Sequence, residues 1–420
     1  MLISVADNIE RPERHDFYRG VRQFYFVEAL ASHAANLLLT GIFFYTHQQY
    51  QWGVRQNLTL AAGQGAVYVV GALMAGRLAA QLGRRNVLLG LQVIMMLLAV
   101  QAWLTPRPLT VVLVLMVYTA LSSTAWPALE SLVSQRASGQ VLAKRLAMYN
   151  LVWSGTNALT LAISGSIIQH WPGGIFILVA AAHLFAMGIL LRARDRVSTI
   201  AKSEPAAAAH LEPEPALLRV RTQALWLSRI ALPSTYVVVY SLSAMLPSLA
   251  VMQPLPTQWR TIVGSVWFVA RFATFAVLGA TTFWHTRPRL MLAAAAVMLV
   301  AFIGTTERPS DWFTAAHVPR AIDVLSMISW QILLGAAMGI IYSASLYFGM
   351  VLSAGSTEHG GYHEALIGFG SFIGPGSAVA ADLLFPGRIG AGISAVAGVI
   401  GLSLIAAAAA AAFRADDSDG

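Results

Sequence analysis

Residues 76–85 read G-R-L-A-A-Q-L-G-R-R, a break between two long apolar runs that holds two glycines, three arginines and no acid. Only 11% of the chain is charged, so three cations in ten residues need a reason. Composition supplies the setting. The 420 residues are 57% hydrophobic and the mean hydropathy is +0.64, whereas an average soluble protein is roughly 25% charged. A soluble fold of this length cannot hide so much apolar surface, so the solvent for most of the chain is lipid. In a soluble protein a net charge of +8 would point to nucleic acid. Here the arginines sit in short breaks between apolar runs, which makes them markers of topology and leaves nucleic acid no part to play. The absence of cysteine excludes a disulfide framework, a thiolate metal site and cysteine catalysis.

Working outward from the break, apolar runs long enough to cross a bilayer fall near 24–46, 57–79, 86–104, 109–132, 146–169 and 174–192. A second set falls near 225–250, 260–284, 289–306, 322–350, 363–385 and 390–413. The expected fold is an all-α integral membrane protein of twelve transmembrane helices. It divides into an N-terminal segment 1–23, a six-helix bundle 24–192, a linker 193–224 rich in proline, alanine and mixed charge, a second six-helix bundle 225–413, and an unstructured tail 414–420. The first 22 residues carry acids and arginines and have no apolar core, which predicts that the first run is a retained helix and not a cleaved signal.

Arginine and lysine set the orientation. Nineteen of the 27 fall in segments on the side of the N-terminus, six in loops on the other side, and Arg229 and Arg271 lie within runs. That bias predicts that both ends are cytoplasmic. The halves also echo one another. Each has a short arginine-bearing turn after its second helix, G-R-R at 83–85 and R-P-R at 287–289, and each has a glycine-rich fifth helix. Two six-helix repeats are the build of a large class of transporters.

With that plan in place, the opening stretch resembles the loop 2–3 signature of the major facilitator superfamily, G-x-x-x-D-R-x-G-R-R/K. Gly76, Gly83, Arg84 and Arg85 match; Ala80 stands where the family has an acid and Gln81 where it has an arginine. The resemblance implies alternating access, in which two bundles rock about a central cavity lined by helices 1, 4, 7 and 10 and loop 2–3 helps to latch the cytoplasmic side. No more specific subfamily signature is evident.

Ionisable groups inside lipid are costly and face a cavity or a partner. Arg271 lies in mid-span, with Trp267 four residues back on the same helical face. A guanidinium beside an aromatic ring binds carboxylate or phosphate well, and the competing expectation is an internal ion pair. Helix 1 places Glu28, Ser32 and Asn36 four apart on one polar face, with His33 beside it. Glu28 and His33 are candidates for proton coupling, unless Glu28 only reaches headgroups. Tyr236 and Tyr240 on helix 7, Gln331 on helix 10, and Gln64 and Asn157 complete the candidate substrate contacts, though aromatic and small residues also serve plain helix packing.

The stretch 356–364, S-T-E-H-G-G-Y-H-E, holds Glu358, His359, His363 and Glu364. His and carboxylate suit zinc, but Gly360-Gly361 is expected to break the helical register between the histidines, so no metal is predicted. The corresponding loop of the first half carries Arg136, Lys144 and Arg145. Opposite charges on equivalent loops imply a latch, for which Gly76, Gly83, Arg84, Arg85, Glu130, Arg145, Glu358 and Glu364 are the candidates. With Ala80 in place of the acid, Glu130, Glu358 or Glu364 is expected to supply the partner of Arg84 and Arg85.

No P-loop, zinc-protease motif or nucleotide domain is present, so the reading is not an enzyme and needs no cofactor. It is a secondary transporter, monomeric and multi-pass in the inner (plasma) membrane of a bacterium. Its partners are the bilayer and a small solute, which Arg271 makes anionic or carboxylate-bearing, and transport is proton-coupled. The alternatives are a drug or metabolite exporter working by proton antiport, and a scaffold or assembly factor that kept the fold and lost transport.

Overall fold

The computed structural model describes residues 21–135, 137, 139–193, 215–287, 289–312, 320–352 and 357–416. Among them no strand occurs, and twelve helices are long and apolar enough to cross a membrane. They are α1 (Arg22–Tyr50), α2 (Val54–Leu82), α3 (Arg84–Leu104), α4 (Pro108–Ser134), α5 (Val141–His170) and α6 (Gly174–Arg192). The second set is α7 (Leu218–Ser248), α8 (Thr257–Ala280), α9 (Arg289–Thr306), α10 (Arg320–Leu352), α11 (Gly360–Leu384) and α12 (Ile389–Ala412). A helix satisfies its backbone internally, which is what lipid demands of any open-chain element. An even number of spans brings the start of α1 and the end of α12 to one face.

Burial sorts the helices. The apolar windows of α1 and α7 are 78% and 83% buried, whereas that of α12 is 17% buried, so α1 and α7 lie inside and α12 is the most lipid-exposed. The halves meet along two seams, α2 against α11 and α5 against α8, and glycine sets their closeness. A Cβ on Gly65 of α2 would stand 2.3 Å from the Phe372 nitrogen of α11. One on Gly165 of α5 would stand 2.2 Å from Thr261 Oγ1 of α8. Only a residue without a Cβ permits either approach.

The helices depart from the expected spans in four places. First, α2 runs on to Leu82, past the expected end of the run, and a single residue, Gly83, joins α2 to α3. Gly83 has φ 79°, the left-handed region that glycine enters without strain. Second, α1 is broken at Thr40–Gly41 into segments Arg22–Leu39 and Ile42–Tyr50. Polar side chains of α2 serve the carbonyls around that break: Gln64 donates to Leu38 O at 3.2 Å and Asn57 to Phe43 O at 3.2 Å. Third, the helix of α11 begins at Thr357 and passes through Gly360 and Gly361 without interruption. The expected break is absent, and the glycines pack closely against α2 and α4: a Cβ on Gly361 would lie 3.1 Å from Ala72 O, tighter than ordinary contact. Fourth, the chain is helical from Pro215, ten residues before the expected start of helix 7, and the last helix continues to Asp416 into the expected tail. The expected segments 1–20 and 194–214, and the side chain of Glu358, lie outside the described residues.

Candidate functional site

A cavity of about 110 Å³ lies between the halves, walled by residues of α1, α2, α4, α5, α7, α8, α10 and α11. Its defining group is Arg271 of α8, which is 1% exposed. Four aromatic rings from four helices surround the guanidinium: Trp153 of α5 at 4.6 Å, Tyr342 of α10 at 4.9 Å, Phe275 of α8 at 5.6 Å and Tyr236 of α7 at 5.7 Å to the ring centroids. Its Nη2 makes one long hydrogen bond, 3.4 Å to Tyr236 Oη, and its Nε has no acceptor. Among the described residues no carboxylate forms an ion pair with it. The cage orients and partly stabilises the cation but supplies no counter-charge.

Two acids line the same cavity. Glu28 of α1 and Glu364 of α11 both line the cavity and are 1% and 3% exposed. Glu28 Oε1 accepts from Ser32 Oγ at 2.7 Å, the i to i+4 pairing that the helical face predicts. Tyr68 of α2 donates to Glu364 across the seam between the halves. The cavity is thus bipolar, cationic towards α8 and acidic towards α1 and α11. Asn36, Asn157 and Tyr240 also line the cavity, and the Oδ1 atoms of both asparagines lack donors.

Three residues expected at the solute site, Trp267, Gln64 and Gln331, and the proton-coupling candidate His33 lie outside its wall. Trp267 is fully buried with its ring centroid 3.6 Å from that of Phe268, and its carbonyl packs against Gly335 of α10. The ring that Arg271 meets on its own helix is Phe275, four residues on and not four back. Gln64 serves the break in α1, as described. His33 Nδ1 lies 2.8 Å from Thr160 Oγ1, which pins α1 to α5. Gln331 is fully buried in α10 away from the cavity.

The latch candidates divide similarly. Arg85 donates to the carbonyls of Leu190 and Leu191 at the end of α6, at 3.0 and 3.1 Å, so neither Glu130 nor Glu364 is its partner. Those two acids are buried in the interior instead. Arg145 donates to Gln135 O at 2.7 Å and braces the turn between α4 and α5. Gly76, Ala80 and Arg84 line a cavity of about 830 Å³ between α2 and the start of α11. A further cavity of about 500 Å³, near the face of the chain ends, is lined by Lys144, Arg221 and His285 among others. Burial first, and then the Arg221 charge, hold His285 below the usual histidine range, so it adds no charge there at neutral pH.

Among the described residues, an ion pair bridges the halves on the opposite face. Arg55 at the start of α2 pairs with Asp382 near the end of α11. No sequence pattern marked it, because the partners are 327 residues apart.

The profile of the Major Facilitator Superfamily matches residues 24–375. Among solved structures, the chain is similar to the nucleoside transporter NupG in its D323A mutant, with a TM-score of 0.66 and 12% identity over 93% of this chain and 99% of that one. It is similar to a second structure of NupG at a TM-score of 0.64, again at 12% identity, over 94% and 98% of the two chains. No curated protein sequence matches.

Proposed function

Since the chain belongs to the major facilitator superfamily and is an integral multi-pass secondary transporter, we propose that its central cavity carries a small anionic or carboxylate-bearing solute with a ring or apolar body. The observation that carries this reading is Arg271, a buried cation facing the cavity with an aromatic cage and no acid partner among the described residues. An unpaired guanidinium in such a place is costly, and a bidentate carboxylate of the solute would offset that cost. We further place both chain ends in the cytoplasm of a bacterial cell, with the protein in its inner membrane, as the arginine bias favours. Glu28 and Glu364 on the acidic wall are the groups proposed to couple solute movement to protons.

A thermal-shift screen tests the substrate class, because a ligand that binds only the folded state raises the unfolding midpoint. Ring-bearing monocarboxylates are expected to raise it, while their amides and the matching amines leave it unchanged. A second reading is a neutral ring-bearing solute of the nucleoside kind. It is favoured by the donor-free Oδ1 atoms of Asn36 and Asn157 beside aromatic walls, and by the likeness to a nucleoside transporter. In the same screen, a shift with nucleosides and none with carboxylates would select it.

Alternating access also needs fastenings that break in turn. Arg55–Asp382 is proposed to hold the non-cytoplasmic face closed. Its side chains are 49% and 21% exposed, so it contributes little stability by itself. Arg55→Ala or Asp382→Ala is expected to speed the labelling of a Thr40→Cys cavity cysteine by an impermeant maleimide roughly two- to fivefold. The parent chain has no cysteine to add background. An unchanged labelling rate in both variants would remove the ion pair from the closing mechanism.

A further inference from the structure

Between the central cavity and the face of the chain ends lies a mixed cluster that solute binding does not use in full. Glu130 of α4 meets His363 and Glu364 of α11 there, and one ligand-type atom from each lies within 4.8 Å of the other two. The three are 0%, 4% and 3% exposed. Neither carboxylate oxygen of Glu130 has a hydrogen-bond partner. Two acids this close in a dehydrated interior repel one another and call for a positive charge between them.

The surroundings are shaped to hold such a charge. A Cβ on Gly360 would come within 3.1 Å of Glu130 Oε2 and 3.3 Å of Pro127 Cβ, so glycine keeps the space beside the carboxylate clear. The two groups on α11 each have a positioning contact. His363 Nδ1 lies 3.1 Å from Ser345 Oγ, and the His363 ring meets Tyr342 edge-on with centroids 5.2 Å apart. Glu364 accepts from Tyr68. Outer contacts that fix ring and carboxylate orientation are typical of metal ligands.

We propose that Glu130, His363 and Glu364 bind a divalent first-row transition ion of the zinc type. Two carboxylate oxygens and one imidazole nitrogen match the ligand preference of such ions better than that of magnesium or sodium, which favour oxygen alone. Zinc–ligand bonds of about 2.0–2.2 Å place ligand atoms about 3.5 Å apart, a spacing that the cluster reaches by a contraction of at most about an ångström. Glu130 comes from the first half and its two partners from the second. An ion held among them therefore clasps the halves on the face of the chain ends and favours the state closed there. The site adjoins the solute cavity through Glu364 and does not depend on what the cavity carries.

The test is Zn²⁺ titration of the purified full-length protein by calorimetry, with unfolding midpoints in Zn²⁺, Mg²⁺ and Na⁺. The expected result is one Zn²⁺ per chain and a raised midpoint in Zn²⁺ but not in Mg²⁺ or Na⁺. Glu130→Gln and His363→Gln should each weaken Zn²⁺ binding by roughly tenfold or more, at least what the loss of an outer contact costs. Gly360→Ala keeps all three ligands, crowds the Glu130 carboxylate and should weaken binding as well, which serves if a ligand variant fails to fold. The proposal is overturned if millimolar Zn²⁺ does not bind, if binding survives both ligand substitutions, or if Mg²⁺ raises the midpoint equally. The first of these outcomes leaves protons as the neutralising charge. Binding is read without transport, so failure here leaves the solute reading intact.

Discussion

Replacing Arg271 by methionine is expected to abolish solute binding while leaving the empty protein as stable as the parent, or more so. The two halves of that result come from one fact, that the guanidinium is 1% exposed and has no acid partner among the described residues. Methionine fills a similar volume and removes a desolvated charge, an exchange that is often neutral or stabilising when no partner is left behind. Losing a buried charged contact to the solute typically costs about 2–5 kcal/mol, which is roughly thirtyfold to several thousandfold in affinity. Binding and midpoint measured on the same preparation decide the matter. Unchanged affinity for every anionic solute would refute the substrate-facing role of Arg271. A variant that no longer folds would make the charge structural.

The second large effect is expected at the seam between the halves. Gly65→Ala puts a Cβ 2.3 Å from the backbone nitrogen of Phe372, and backbone cannot swing aside as a long side chain can. Either α2 and α11 separate along the seam or the helix distorts locally. Overpacking of this kind costs about 1–3 kcal/mol, and Gly65→Leu should exceed that and abolish a monodisperse folded preparation. Gly90→Ala and Gly188→Ala are the controls: a Cβ at either meets nothing within 4 Å, and helix propensity favours alanine. The measurement is the unfolding midpoint with size-exclusion behaviour. A Gly65→Ala midpoint equal to that of the controls would show that the seam has slack.

The fold was legible because lipid leaves a chain few choices. Runs of twenty apolar residues broken by arginine can be little else, and the twelve helices follow the twelve runs in order. What sequence missed lies across the chain. The cage of Arg271 is assembled from Trp153, Tyr236, Phe275 and Tyr342 on four helices, and spacing along one helix offered only Trp267, which faces elsewhere. Glu130 and His363 are far apart in the chain yet adjacent in space. Gly360-Gly361 read as a helix breaker, because propensity describes an isolated helix and not one whose neighbours need the room. Glu28 with Ser32 was legible because both lie on one helix at a spacing that brings side chains together.

Gly83 and Ala80 belong to the same short stretch and have had different fates. The glycine makes the one-residue joint between α2 and α3. Ala80 leaves that joint without the acid that the family signature carries there. Among the described residues, the contacts between the halves differ in their chemistry at the two rims. One rim carries a water-exposed ion pair, which dissolved salt weakens. Towards the other rim, the acids that meet across the seam are shut away from water, beyond the reach of bulk ionic strength. On the fastening proposed above, the molecule answers to the medium on one side of the membrane and to its bound contents on the other.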